Sequence, residues 1–179
     1  MKGDERGQTF IPIRVLISIV VAGIIAGLAF TGLQYAAKVA AEKQVERECS
    51  EMLFQISTMI ASGDARDIYD MHDDRGDKRS IELDLPDELI YLGLGVDPDD
   101  RVHGLTGNGS CIFYKIEGMS KRVIWLDESM KFRKGRNDSG IWVIDKPEQG
   151  FVIRGGGKYT ITFELVKDAE EVKYILIES

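Results

Sequence analysis

The sequence has very few side chains suited to catalysis. Its 179 residues include two histidines and two cysteines, Cys49 and Cys111. Neither cysteine has a histidine in a recognisable local signature. No serine occupies the Gly-x-Ser-x-Gly turn that presents a hydrolase nucleophile. These absences argue against an enzyme, and we expect no cofactor.

Phosphate and metal motifs are incomplete as well. Residues 154–158, Arg-Gly-Gly-Gly-Lys, lack the Gly-x4-Gly-Lys-Ser/Thr spacing of a phosphate loop, and they predict a hairpin turn instead. The acid-rich segment around His72 does not have the ligand spacing of an EF-hand. Such a run of acids is more often a solvated loop than a cation site, so no metal site is predicted.

Basic side chains are outnumbered by acidic ones. There are 23 lysines and arginines against 30 aspartates and glutamates, which gives a net charge of −7 at pH 7. The acidic excess lies beyond residue 35. An acidic domain repels phosphate backbones and anionic lipid headgroups. Nucleic acid is therefore not an expected partner.

One long segment has no charge at all. Residues 15–37 contain no Asp, Glu, Lys or Arg. A helix of roughly 23 residues is about 35 Å long, which is enough to cross a hydrocarbon core of about 30 Å. A secretory signal peptide has a shorter apolar region, of about 7–15 residues. We therefore expect a single retained membrane span, centred on residues 15–35, with membrane lipid around it.

The helical pattern continues beyond the span. Apolar residues recur mostly three to four positions apart as far as Ile60, and charged residues fill the opposite faces. Gly63 then supplies a stop signal. The pattern predicts one helix over residues 8–62, with a membrane-embedded first part and an amphipathic second part.

The period changes in the second half of the chain. Residues 63–79 form a polar, acid-rich linker, and alternating or apolar runs follow, separated by Gly, Asn, Asp and Pro. The predicted strands lie in residues 80–86, 88–94, 111–118, 121–126, 140–145, 150–155, 158–166 and 172–179. The expected fold class is α+β: a long N-terminal helix packed on a C-terminal antiparallel β-sheet domain, residues 80–179.

The two cysteines are candidates for a disulfide. Cys49 falls on the apolar stripe of the helix and Cys111 begins a predicted strand. A bridge would close a loop of roughly 60 residues and stabilise the fold by about 4 kcal/mol. The alternative is a pair of buried free thiols, which behave as small apolar side chains.

The orientation of the span does not follow from charge, because three basic residues precede it and three follow it closely. Asn108 and Asn137 each begin an Asn-x-Ser sequon in a turn-rich segment and are candidate glycosylation sites. The sequons, the cysteines and the short N-terminal side favour a cytoplasmic N-terminus and an extracellular β domain.

The span also contains a small-residue motif. Gly23 and Gly27 form a Gly-x-x-x-Gly pair, which Thr31 extends at the same spacing. Small residues on one face allow close packing of two membrane helices. Glycine is common in membrane spans, so the motif alone leaves open whether this helix self-associates.

Residues 5–10, Glu-Arg-Gly-Gln-Thr-Phe, precede the apolar helix. This joint and the helix–β layout resemble archaeal type IV pilin-like proteins with a class III signal peptide. The resemblance implies that a membrane prepilin peptidase cuts after Gly7 and removes residues 1–7. Gln8 then becomes the N-terminus, and Arg6 is the basic residue just before the cut.

Two positions depart from the family pattern. A typical pilin has Glu five residues after the cut, where this chain has Pro12, and Arg14 lies within the apolar region. Proline is tolerated in a first helical turn, and arginine can reach the headgroups. A minor subunit therefore fits better than a bulk filament subunit, with pilin-like subunits or further copies as partners. The alternative is a permanently anchored, single-pass extracellular binding module that does not polymerise.

Overall fold

The structure, a computed structural model, describes residues 13–70, 72–73, 75–100, 104–138, 141–146 and 148–178. The described residues form one long helix and ten strands, so the predicted α+β class is confirmed. The elements are α1 (Ile13–Ser62), β1 (Arg66–Asp67), β2 (Lys78–Leu85), β3 (Leu89–Leu94), β4 (Cys111–Ile116), β5 (Arg122–Trp125), β6 (Phe132–Asp138), β7 (Ile141–Ile144), β8 (Phe151–Arg154), β9 (Gly157–Lys167) and β10 (Lys173–Glu178).

Helix α1 is free of proline and ends where glycine allows a close turn. The Gly63 N–H donates to the Met59 carbonyl oxygen at 2.8 Å. A Cβ at Gly63 would lie 2.5 Å from that oxygen, so no larger residue fits there without a shift. The chain divides into two compact units, one up to Ala37 and one from Lys38, and each is described separately below.

Two sheets make up the β domain. The first has the order β5-β4-β3-β8, and all its pairs are antiparallel. In the second, the long strand β9 pairs with β10 along one edge and with β2 and then β1 along the other, while β6 lies between β10 and β7. The Lys134 N–H donates to the Gln149 carbonyl oxygen and joins the sheets near β8.

The second sheet corrects the prediction of a wholly antiparallel domain. β1 pairs with β9 and β6 pairs with β10 in parallel. β1 lies inside the predicted linker, and β6 covers residues assigned to a turn between predicted strands. The parallel partner of each strand lies far away in the sequence, so local patterns did not reveal these pairs. The second part of β6 pairs with the adjacent β7, and its Gly, Asn and Asp residues hid that hairpin strand in the sequence.

The main core lies between the distal half of α1, residues 38–62, and the facing side chains of both sheets. The helix contributes a stripe at three- and four-residue spacing, which comprises Ala41, Val45, Cys49, Met52, Ile56 and Met59. The opposing surface comes from alternate residues of β2, β3, β4, β9 and β10, with single residues of β6 and β8. Burial of this apolar stripe, rather than helix propensity, stabilises the distal half of α1.

Side chains close two exposed strand edges. On β2, the Asp84 carbonyl accepts from Gln44 Nε2 at 2.8 Å, and the Asp84 N–H donates to Glu48 Oε2 at 3.3 Å. On β7, the Trp142 carbonyl accepts from Arg66 Nη2 at 2.6 Å. The backbone groups at these points are therefore satisfied and cannot pair with another strand.

Candidate functional site

The first unit presents a continuous apolar surface. Every side chain of residues 13–37 is exposed, although most of them are large and apolar. These 25 residues give a helix of about 37 Å, which exceeds the bilayer core of about 30 Å. Helix α1 is thus long and apolar enough to span a membrane near the N-terminus.

The small-residue motif lies within this helix. A Cβ placed on Gly23 or Gly27 would meet no atom within 4 Å. The Thr31 hydroxyl donates to the backbone, with Oγ1 at 3.2 Å from the Gly27 carbonyl and 3.0 Å from that of Leu28. Because this hydroxyl is satisfied within the helix, Thr31 adds no unpaired polar group to the apolar surface.

Arg6, Gly7 and Gln8, the predicted processing site, lie outside the described residues, as does Pro12. Arg14 is described and exposed, and its carbonyl accepts a hydrogen bond from the Ser18 hydroxyl at 2.9 Å.

The predicted disulfide is wrong, because both thiols are free and buried. Cys49 packs in the main core between α1 and the sheets. Cys111 points to the other face of β4, where it packs with Tyr91 and Phe113 and its thiol donates to the Thr106 carbonyl at 3.2 Å. The neighbouring Ile112 faces the helix, so the alternation along β4 separates the two sulfur atoms.

The two sequons differ in their surroundings. Asn108 has positive φ, and its carboxamide oxygen accepts from Arg133 Nη2 at 2.9 Å, while Ser110 is buried. Asn108 itself is exposed, but Arg133 orients its carboxamide and the hydroxyl of Ser110 is buried. Asn137 is exposed near the end of β6, and its Ser139 lies outside the described residues. Glycan attachment at either asparagine stays a prediction.

Polar contacts attach the beginning of the distal half of α1 to β4 and β5. Arg122 Nε donates to Glu42 Oε1 at 2.6 Å, and the Tyr114 hydroxyl donates to Glu46 Oε1 at 3.2 Å. Burial raises the pKa of Tyr114, and the Glu46 and Glu42 carboxylates raise it further. The phenol therefore stays protonated and keeps its donor role at physiological pH.

The acid-rich segment organises its own backbone. Asp70 Oδ1 accepts from the His72 N–H at 2.9 Å, and Asp73 Oδ1 accepts from the Arg75 N–H at 3.1 Å. The Arg75 guanidinium holds the pKa of Asp73 well below its usual range. Among the described residues, no group of three or more His, Cys, Asp or Glu side chains is arranged to hold a metal ion.

Comparisons with protein-family models, with curated proteins and with solved structures found no match to this chain.

Proposed function

We propose that the chain is a pilin-like structural subunit, held in the membrane by α1, with its β domain exposed outside the cell. It would act as a minor component of a type IV pilus-like assembly. Its partners would be pilin-like subunits or further copies of itself, which it meets through residues 13–37.

The observation that carries this proposal is the division of α1 into two halves with different surroundings. The distal half buries an apolar stripe in the β domain. The first half buries no side chain, although it is the most apolar segment of the chain. Such a surface needs lipid or other apolar helices around it, and a subunit that passes from a membrane into a helical assembly meets both.

Two of the sequence features that favoured an extracellular β domain give less support in the folded structure. The free thiols no longer favour an oxidising compartment, and the first sequon is engaged by Arg133. The short N-terminal side and the exposed Asn137 support a cytoplasmic N-terminus and an outer β domain.

The N-terminus of the protein from its native membranes tests the proposal. Intact-mass and N-terminal peptide analysis should find a chain that begins at Gln8, because processing must precede assembly in this class of subunit. A chain that begins at Met1 or Lys2 would contradict the proposal and support the permanently anchored binding module. A Gly7→Leu variant is the matched control: it should keep residues 1–7 and should accumulate in the membrane.

A further inference from the structure

Strand β5 is the outer strand of the first sheet, since it pairs with β4 and the sheet order ends there. The Leu126 N–H donates to the Ser110 carbonyl oxygen at 3.0 Å. This bond shows which residues of β5 direct their backbone groups to β4, because such residues alternate along a strand. Arg122 and Ile124 direct their backbone groups to β4, so Val123 and Trp125 direct theirs away from the sheet. Within the described residues, no hydrogen bond covers these outward groups.

The same two residues also expose large apolar side chains. The side chains of Val123 and Trp125 are 41% and 63% exposed. They project from one face of the strand, on which Trp125 makes an edge-to-face contact with Phe113. Polar side chains satisfy the edge of β2 at Asp84 and that of β7 at Trp142, whereas β5 combines an open backbone edge with an apolar surface. Such an edge is suited to pairing with another strand.

The sequence around this edge is complementary to itself. From Lys121 to Asp127 it begins with two basic residues and ends with an acidic one, and Ile124 is at its centre. When two copies pair antiparallel about Ile124, Lys121 lies opposite Asp127 and Val123 lies opposite Trp125 of the other copy. These four positions share one strand face, because they alternate along the chain. Lys121 already pairs with Asp97 of its own chain and lies over the Phe113 ring on that face, so Asp127 of a second copy would be its second acidic neighbour.

We propose that β5 pairs antiparallel with β5 of a second copy and joins the two four-stranded sheets into one. Val123 of one copy and Trp125 of the other exchange N–H···O bonds as a hydrogen-bonded pair. An aromatic side chain opposite a β-branched one and a lysine opposite an aspartate both stabilise such pairs. The charge pattern selects a second copy over an unrelated extended peptide.

This contact is separate from the span and does not require that the chain polymerise. A single strand edge covers less surface than the roughly 1,200–2,000 Å² of stable soluble dimers. We therefore expect a reversible contact that forms when copies are concentrated, as they are on one membrane.

Cysteine trapping in the full chain, reconstituted into lipid vesicles, tests the register. Copies carrying Val123→Cys and copies carrying Trp125→Cys, mixed in one vesicle, should form a disulfide dimer under mild oxidation. Both variants carry Cys111→Ala as well, because Cys111 is the cross-strand partner of Trp125 and would otherwise form an intrachain disulfide with a cysteine at position 125. Val123→Cys alone should form much less, because its own equivalents lie diagonally, with Cα atoms about 7–8 Å apart. Phe54→Cys is the control for random collision, since its side chain is 73% exposed on α1. Equal dimer yields in all three samples would overturn the proposal.

A charge exchange then separates pairing from any loss of folding. Adding Lys121→Glu to the Val123→Cys copy places two acids opposite each other and should lower the dimer yield about fivefold. The same substitution also removes the pair with Asp97 within the chain, so the rescue in the other copy, which does not restore that pair, is the arm that reports pairing. Adding Asp127→Lys to the Trp125→Cys copy should restore the yield, because opposite charges face each other again. Failure of the second substitution to restore it would contradict the proposed register.

Discussion

Arg66 and Glu164 form a two-contact ion pair in the interior of the β domain. Arg66 Nε lies 2.6 Å from Glu164 Oε1, and Nη2 lies 3.0 Å from Oε2. Both side chains are almost completely buried. The pair connects β1 to β9, and through the Trp142 carbonyl it also holds the β6–β7 hairpin over the outer face of the second sheet.

Removing one member of this pair should be costly. Glu164→Gln leaves the Arg66 charge without its counterion in a buried site, and we expect it to lower the free energy of unfolding by about 3–5 kcal/mol. Urea unfolding of the full chain in detergent, followed by tryptophan fluorescence, measures the change.

Glu51→Gln is the matched control for that measurement, because it breaks an exposed pair with Arg47 at 3.9 Å. Its effect should stay below about 1 kcal/mol. If the two variants lose stability equally, the buried pair does not hold β1 and β9 together.

The thiols should react slowly in the folded protein. Burial raises the pKa of Cys49 to about 12 and that of Cys111 to about 11, so little thiolate is present at neutral pH. In denaturant without reductant, both should be alkylated, and the mass should increase by two adducts. No adduct before reduction would mean that the bridge does form.

Gly23 and Gly27 should affect association between chains and not the folding of a single chain. Since a Cβ at Gly23 or Gly27 meets nothing, Gly23→Ile with Gly27→Ile should leave the β domain fold unchanged and should weaken helix association in membranes. Energy transfer between labelled copies in vesicles measures this association.

Gly32→Ile is the control variant for the span. A Cβ at Gly32 also meets nothing within 4 Å, yet Gly32 lies about 140–180° around the helix from Gly27 and Gly23. It should leave energy transfer unchanged. Equal losses from both substitutions would show that bulk, not the Gly23–Gly27 face, determines association.

Glu178 should make the folded protein less stable as the pH rises, which is opposite to the usual effect of a carboxylate. Burial raises its pKa, Lys78 opposes this, and Glu164 reinforces it, while Arg66 neutralises Glu164 from β1. The folded state holds this proton more tightly than the unfolded state. Its contribution to the free energy of unfolding therefore falls as pH rises from the ordinary glutamate value of about 4.3 to the raised pKa.

Glu178→Gln should accordingly be more stable than the natural chain at neutral pH, and the difference should disappear below about pH 4. Asp99→Asn is the control of opposite sign, because the hydrogen bond from Tyr91 lowers the pKa of Asp99. It should be less stable at neutral pH, and its deficit should shrink as the pH falls through the pKa of Asp99. Chemical unfolding at a series of pH values compares the variants, and parallel profiles would contradict the assigned causes.

Local periodicity in the sequence predicted the elements that bury one face. The three- and four-residue spacing of Val45, Cys49 and Ile56 indicated the buried stripe of α1, and the alternation at Ile81, Leu83 and Leu85 indicated β2. These elements each bury one face, so their sequences carry the period of their structure.

Long-range pairing left no such signal. β6 contains Gly135, charged residues and an Asn-Asp pair, which are typical of a turn. Its first residues, 132–134, pair with Ile175–Ile177 of the distant strand β10, and the turn-like residues that follow pair with the neighbouring strand β7. Arg66 and Glu164 are 98 residues apart. Cys111 faces away from α1, and a shift of one residue along β4 would turn it toward the helix and Cys49. The sequence does not determine this register, and for that reason the disulfide prediction failed.

The contacts of Gln44 and Glu48 with Asp84 determine how the β domain can be isolated. A soluble fragment that begins after α1 would lose both side chains along with the apolar stripe. The bare edge of β2 and the uncovered inner surface of the sheets would then both be open to aggregation. A truncation that removes the membrane segment should therefore begin near Lys38 and retain the rest of α1, even though that segment belongs to the same helix as the part removed.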